Sequence, residues 1–201
     1  MKKFLMAIVA VLMAAPSFAQ YSSGGFSLSE STLYYGIRLG MNVSTITGDY
    51  ADTDSKVGMN LAGVIGTRVS DATPIFIESG VYFSGRGGKD LTLNYLELPV
   101  LIKYGVQVSD DIAILPFIGP YFSMGVAGKY KTVEDMKVVK RSSYKLMKHP
   151  DMGFKLGCGG EYNKLYLEVG YQFGVLNIAK DNPADLSAHT SNFFVNFGVN
   201  F

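Results

Sequence analysis

The stretch "SNFFVNFGVNF" (residues 191–201) sets Phe193, Val195, Phe197, Val199 and Phe201 on one face of an extended strand, with Asn192, Asn196, Gly198 and Asn200 on the other. A helical repeat of 3.6 residues would scatter the two sets around the axis. An apolar face of this size leaves water only under a cover of protein or of lipid. Which of the two supplies it decides the fold.

The same alternation recurs along the chain. In "LYYGIRLGMNVS" (33–44), Leu33, Tyr35, Ile37, Leu39, Met41 and Val43 oppose Tyr34, Gly36, Arg38, Gly40, Asn42 and Ser44. Comparable stretches are "VGMNLAGVIGTRV", "PIFIESGVYFSG", "YLELPVLIKYGVQ", "MGFKLGCGGEY" and "LYLEVGYQFGV". A fifth strand, near Ile112 to Gly128, is less regular: Leu115 and Phe117 interrupt its polar face, and Pro116 and Pro120 suggest a bulge or bend. Eight strands of about ten residues match the length that crosses a bilayer at a tilt. Short links ("SDAT", "SDD", "NK") alternate with long ones ("TITGDYADTDSK", "RGGKDLTLN", "KYKTVEDMKVVKRSSYKLMKHP", "NIAKDNPADLSAHTS"). Short inner turns and long outer loops are the asymmetry of an outer-membrane barrel.

Polarity sidedness chooses lipid as the cover. A soluble barrel carries its charges outside, yet the apolar face of each strand holds no Asp, Glu, Lys or Arg. The opposite face holds Arg38, Arg68, Glu78, Glu97, Lys103, Lys155, Glu161 and Glu168 among glycines, four basic and four acidic residues. The expected fold is all-β: an eight-stranded antiparallel up-and-down transmembrane barrel with a lipid-facing apolar exterior and a polar, charge-paired lumen. Closure leaves no sheet edge for lipid to strand, so the strand ending at Phe201 must pair with the one beginning at Leu33. Phe201 is also expected to act as an assembly signal, the terminal aromatic read by the outer-membrane assembly machinery.

The start, "MKKFLMAIVAVLMAAPSFAQ", has the basic end, short apolar run and small-x-small site of a secretory signal peptide (1–19), cleaved after Ala19. A Gly/Ser-rich periplasmic lead (20–32) follows, then the barrel domain (33–201). Cleavage takes Lys2 and Lys3 and moves the formal charge from +1 to −1, which implies no nucleic-acid partner. The single Cys158 excludes an internal disulfide, and its place on an apolar face points to inert packing.

The residues "ESGVYFSGRGGK" (78–89), "NYLELPVLIKY" (94–104), "PFIGPYFSMGV" (116–126) and "YQFGVLNI" (171–178) resemble the PorT-like outer-membrane β-barrel domain of Bacteroidota. The "YLELPVLIKY" segment is the most specific of these, with Glu97 and Pro99 inside an otherwise apolar strand. The resemblance implies an outer-membrane barrel. The member that names the family is associated with secretion of proteins to the cell surface, and no functional residue carries over from it.

Chemistry is sparse elsewhere. The lumen charges suit a packed polar core more than a conduit, since eight strands enclose just enough space for side chains. His149 and His189, with Ser187, Ser191, Asp185 or Asp151 near them in sequence, are the candidates for general-base chemistry at the outer rim, as in a lipid A modifying enzyme. Asp49, Asp52 and Asp54 offer oxygen donors to a hard cation but lack the glycine and distant Glu of a calcium loop. Lys129, Lys131, Lys137, Lys140, Arg141, Lys145 and Lys148 face only Glu134 and Asp135 in one outer loop, a basic patch suited to outer-membrane lipid and lipopolysaccharide. The expected function is non-enzymatic, with no cofactor and no catalytic or metal site. The barrel would have a structural or accessory role in surface assembly, secretion or adhesion through its outer loops, with surface or secretion proteins as partners. A narrow channel for small solutes or hydrophobic ligands is the alternative.

Overall fold

The computed structural model describes residues 33–49, 54–69, 73–88, 91–109, 111–134, 137–143, 147–179 and 187–201, with the backbone alone for the described part of 131–141. The expected signal peptide and periplasmic lead lie outside the described residues.

Among the described residues ten strands follow in chain order: β1 (Leu33–Gly48), β2 (Lys56–Arg68), β3 (Ile75–Gly88), β4 (Leu91–Tyr104), β5 (Val106–Ser109), β6 (Ile112–Glu134), β7 (Lys137–Arg141), β8 (Pro150–Tyr162), β9 (Leu165–Gly174) and β10 (Ala188–Asn200). All form one antiparallel sheet. β5 prolongs the line of β4 along β6, and β7 pairs with the outer part of β6. The remaining strands, with β5 joined to β4, make an eight-stave barrel. It closes where β1 meets β10 from Gly36↔Asn200 to Gly48↔Ala188, with Phe201 N donating to Tyr35 O at 2.7 Å just beyond.

Alternation decides what faces where. Leu39, Leu61, Val100, Ile118, Leu167 and Phe197 point outward and lie open, and Met59 leaves 66% of its surface uncovered. Among the described residues no layer of protein shields this belt, and hydrocarbon is the cover that fits it. Every second residue points inward, so the interior receives Arg38, Glu78, Glu97 and Lys103 together with Phe76, Leu115, Phe117 and Phe194, all buried. Leu115 and Phe117, which break the polar pattern of β6, are inward fillers within its regular alternation.

The prolines act differently from the expected bulge. β6 keeps an unbroken register against β8 past both Pro116 and Pro120. Against β4 the pairing lapses between Pro99↔Tyr121 and Ile102↔Ile118 without slipping, where Pro120 offers no ladder donor. The register shift lies further out, between Asn94 and Tyr95, with Val126 as the extra residue.

Two links are shorter than the alternation suggested. "RGGKDLTLN" reads as a loop, but β3 runs to Gly88 and β4 begins at Leu91. Gly87, on the last rungs of β3 opposite Thr92, takes φ +134°, and a Cβ there would stand 2.0 Å from Leu91 O, so the position requires glycine. The long link after Gly128 likewise becomes a hairpin, β6 pairing with β7 from Tyr130↔Arg141 to Glu134↔Lys137. At the inner end, Asn163 takes φ +54° between β8 and β9, a left-handed position that Asn tolerates.

Candidate functional site: the filled lumen and the tied outer rim

The interior is organised in layers. Nearest the inner rim, Glu78 accepts from Tyr34 at 2.7 Å and pairs with Lys103 at 2.8 Å and Arg38 at 3.5 Å. Lys103 also donates to Tyr166 at 2.8 Å, and the Arg38 guanidinium lies 4.0 Å above that ring. A ladder of amides crosses the middle: Asn42 donates to Asn60 at 2.7 Å, Asn60 to Asn196 at 3.1 Å, and Asn196 to Glu168 at 2.7 Å. Above it, Glu97 binds Arg86, Lys155 at 3.1 Å and Gln172 at 2.7 Å. Arg86 reaches on to Asp151 at 3.6 Å, which also accepts from Thr190 at 2.8 Å and Tyr121 at 3.2 Å. Charges withdrawn from water survive when each meets an opposite charge and hydrogen bonds. Asn60, Tyr82, Ser84, Arg86, Glu97 and Lys155 meet around an interstice with no room for a water molecule.

The membership differs from the sequence expectation at two ends. Arg68 stands half-exposed at the inner end of β2, while Arg86 and Asp151 are buried inside these layers. The remaining expected residues, Arg38, Glu78, Glu97, Lys103, Lys155, Glu161 and Glu168, are buried. Among the described residues the buried charges are therefore four cations and five carboxylates, not an even set. Glu161 accepts from Asn200 at 2.9 Å, and one oxygen of each of Glu161 and Glu168 has no hydrogen-bond partner. Both missed residues continue the period of two: Arg86 follows Glu78, Tyr82 and Ser84, and Asp151 precedes Lys155 by four.

An apolar cap closes the outer mouth. Ile46, Leu93, Tyr95, Ile178, Ala179 and Ala188 cluster there, with Met147 and Leu91 packed against them. Ile178 comes from the link after β9, which is pinned by Ile178 N on Ala188 O (2.9 Å) and by Asn177 Oδ1, which accepts from Ala179 N and Ala188 N (3.0 Å each).

The outer connections are tied to one another in a ring. The β1 end joins the β10 start through Asp49 N on Ser187 O (2.9 Å), with Ser187 N and Oγ donating to the Asp49 carboxylate. Those two bonds hold the Asp49 carboxyl below its ordinary pKa. Ser44 Oγ and Gly87 tie β1 to the β3–β4 turn, Ser143 Oγ donates to Thr92 O at 2.7 Å, and Lys148 N donates to Ile178 O at 2.7 Å. Each outer connection thus holds the next.

The rim chemistry weighed from the sequence has these positions. His149 Nδ1 lies 2.8 Å from Gly125 O, and His189 Nδ1 lies 3.1 Å from Leu176 O, so both rings meet backbone carbonyls. Asp151 points into the lumen, and Ser187 is held by Asp49. Asp185 and Asp52 lie outside the described residues, among which no three metal-ligating groups come together. Phe201 is exposed at the β1–β10 seam.

The barrel has known counterparts. A major outer membrane protein from Thermus thermophilus superposes with a TM-score of 0.51 at 14% identity, covering 85% of this chain and all of that one. Neisserial surface protein A gives 0.48 at 11% identity over 85% and 98% of the two chains. The attachment invasion locus protein Ail of Yersinia pestis gives 0.44 at 13% identity over 85% and 100%. At such identities the likeness is one of fold alone. No curated protein matches the sequence. The family model of the outer membrane protein beta-barrel domain matches residues 18–180, and the chain belongs to that family of integral outer-membrane barrels.

Proposed function

We propose that this barrel is a non-enzymatic, structural or accessory element of the outer membrane that works through its outer loops, in surface assembly, secretion or adhesion. The observation that carries this reading is the filled lumen: Arg86, Glu97 and Lys155 interlock around a space without room for water, and an apolar cap stands above them. A pathway for solutes would require that layer to come apart. The working surface is then the tied outer rim.

Within the family we place the chain among PorT-like barrels, on "YLELPVLIKY" (95–104) and the other segments named above. Surface or secretion proteins are the partners this implies, after export with cleavage behind Ala19 and insertion by the assembly machinery through Phe201. Single-channel recording on purified, refolded protein tests the reading. Silence across the usual voltage range is expected; stepwise currents from the wild-type chain would replace it with the narrow-channel reading.

A further inference from the structure

We infer that the outward face of β6 and β7, where they leave the hydrocarbon, binds the phosphate-bearing headgroups of outer-leaflet lipid. This rests on the reading that the outer loops are the working part of the barrel.

The outward face of β6 is apolar through the membrane, with Ile114, Ile118, Phe122, Met124 and Val126 all exposed. Beyond the bulge at Val126 the same face changes character. Gly128 pairs with the buried Leu93, so its neighbour Lys129 falls on the outward face, and Lys129 is exposed. Lys131 shares that face by alternation, and the register sets Lys140 of β7 directly opposite Lys131. Glu134 alternates to the other face, opposite Lys137.

Depth fits the assignment. At about 3.3 Å per residue, Lys129 and Lys131 stand about 10 and 16 Å along the strand from Val126. A strand tilt of about 45° turns this into about 7 and 12 Å of height above the apolar edge, at the headgroup layer and its outer margin. Energetics fits too: like charges directly opposite in an antiparallel pair repel. A phosphate between Lys131 and Lys140 would turn that repulsion into two attractions, in a region where screening is weaker than in bulk water. A patch meant only for solubility has no reason to set three lysines on the lipid-side face between about 7 and 12 Å above the apolar edge.

The test uses full-length refolded protein in zwitterionic micelles, with bis-phosphorylated lipid A and its dephosphorylated form as probes, read by native mass spectrometry. Wild type is expected to retain the phosphorylated lipid preferentially. The K129Q/K131Q/K140Q variant, shown folded by heat-dependent gel mobility, is expected to weaken that binding about a hundredfold. Equal retention of both lipids, or an unchanged affinity in the variant, overturns the proposal. So does a soluble sulfated oligosaccharide that binds the same lysines more tightly than lipid A, since the ligand would then be a polysaccharide. If lipid discrimination fails while the channel recording stays silent, the lipid site alone is lost; currents would sink the broader reading.

Discussion

Replacing Glu97 by Gln strands two cations in a dry interior. Glu97 holds Arg86, Lys155 and Gln172 at once, and breaking a buried ion pair by removing one partner costs about 3–5 kcal/mol. Arg86 keeps Asp151 at 3.6 Å and lies 5.3 Å over Tyr95 and 5.4 Å over Tyr121, which softens its loss. Lys155 loses its direct ion pair and keeps the aromatic faces of Tyr82 at 4.1 Å and Phe194 at 4.5 Å, with the longer-range attraction of Glu168 and Glu78; a desolvated cation–π contact is worth about 2 kcal/mol. E97Q is therefore expected to cost about 4 kcal/mol. E168Q removes the same formal charge, but Glu168 accepts one hydrogen bond from Asn196 and leaves its other oxygen without a partner. It is expected to cost about 1 kcal/mol or less. The chain has no Trp, so urea unfolding of the barrel refolded in lipid vesicles is followed by circular dichroism and gel mobility. K155M placed on E97Q should recover about 1–2 kcal/mol, the coupling expected of residues in one network. Equal costs for E97Q and E168Q would refute the reasoning, because net lumen charge rather than local pairing would then set stability.

Other expectations follow from the outer face and the rim. Leu39 points outward between Leu61 and Phe197, and L39R should destabilise the refolded barrel by about 2–4 kcal/mol in the same assay if it lies near the bilayer midplane. Cys158 is exposed on the lipid side of β8; because the reacting thiolate needs water, a maleimide and a charged thiosulfonate should both label it only after unfolding. The Asp49 carboxyl titrates below its ordinary 3.8 because Ser187 donates to its charged form. A depressed folded-state pKa means that the tie contributes above the unfolded value and is lost as pH falls through the folded one. The Ser187 amide resonance should hold steady down to about pH 4 and shift below it, and D49N should abolish that pH dependence.

Strand identity and facing were legible because period two is local: Leu39 and Phe197 declare their side from their neighbours alone. Strand ends were less so. Arg86 sits amid glycines that read as a turn, and only the pairing of Ser84 with Tyr95 and of Arg86 with Leu93 makes it part of β3. Asp151 follows Pro150 and His149 and resembles loop, yet β6 residues Ser123 and Met124 extend the ladder to it and to Pro150. Ladder length depends on the partner strand, which no window of sequence contains. The prolines mislead for a related reason: a missing donor costs a bond, but register is held by every other rung. Which charges pair was not readable either, because Glu97 gathers partners from β3, β8 and β9, set by barrel closure rather than by spacing.

The seam between β1 and β10 has an implication for how the chain is ordered. With Tyr35 and Phe201 hydrogen-bonded at the inner rim, both ends of the barrel emerge side by side, and each stave has a partner on either hand. In such a ring no strand is first. A short linker from Phe201 to Leu33, with the chain reopened between Asn163 and Lys164 at the same rim, would keep every rung of the cylinder. Such a circularly permuted chain should reach the same barrel, and any difference in its unassisted insertion rate into lipid vesicles, where no machinery reads Phe201, would report the order in which staves are delivered, separately from the stability of the closed form.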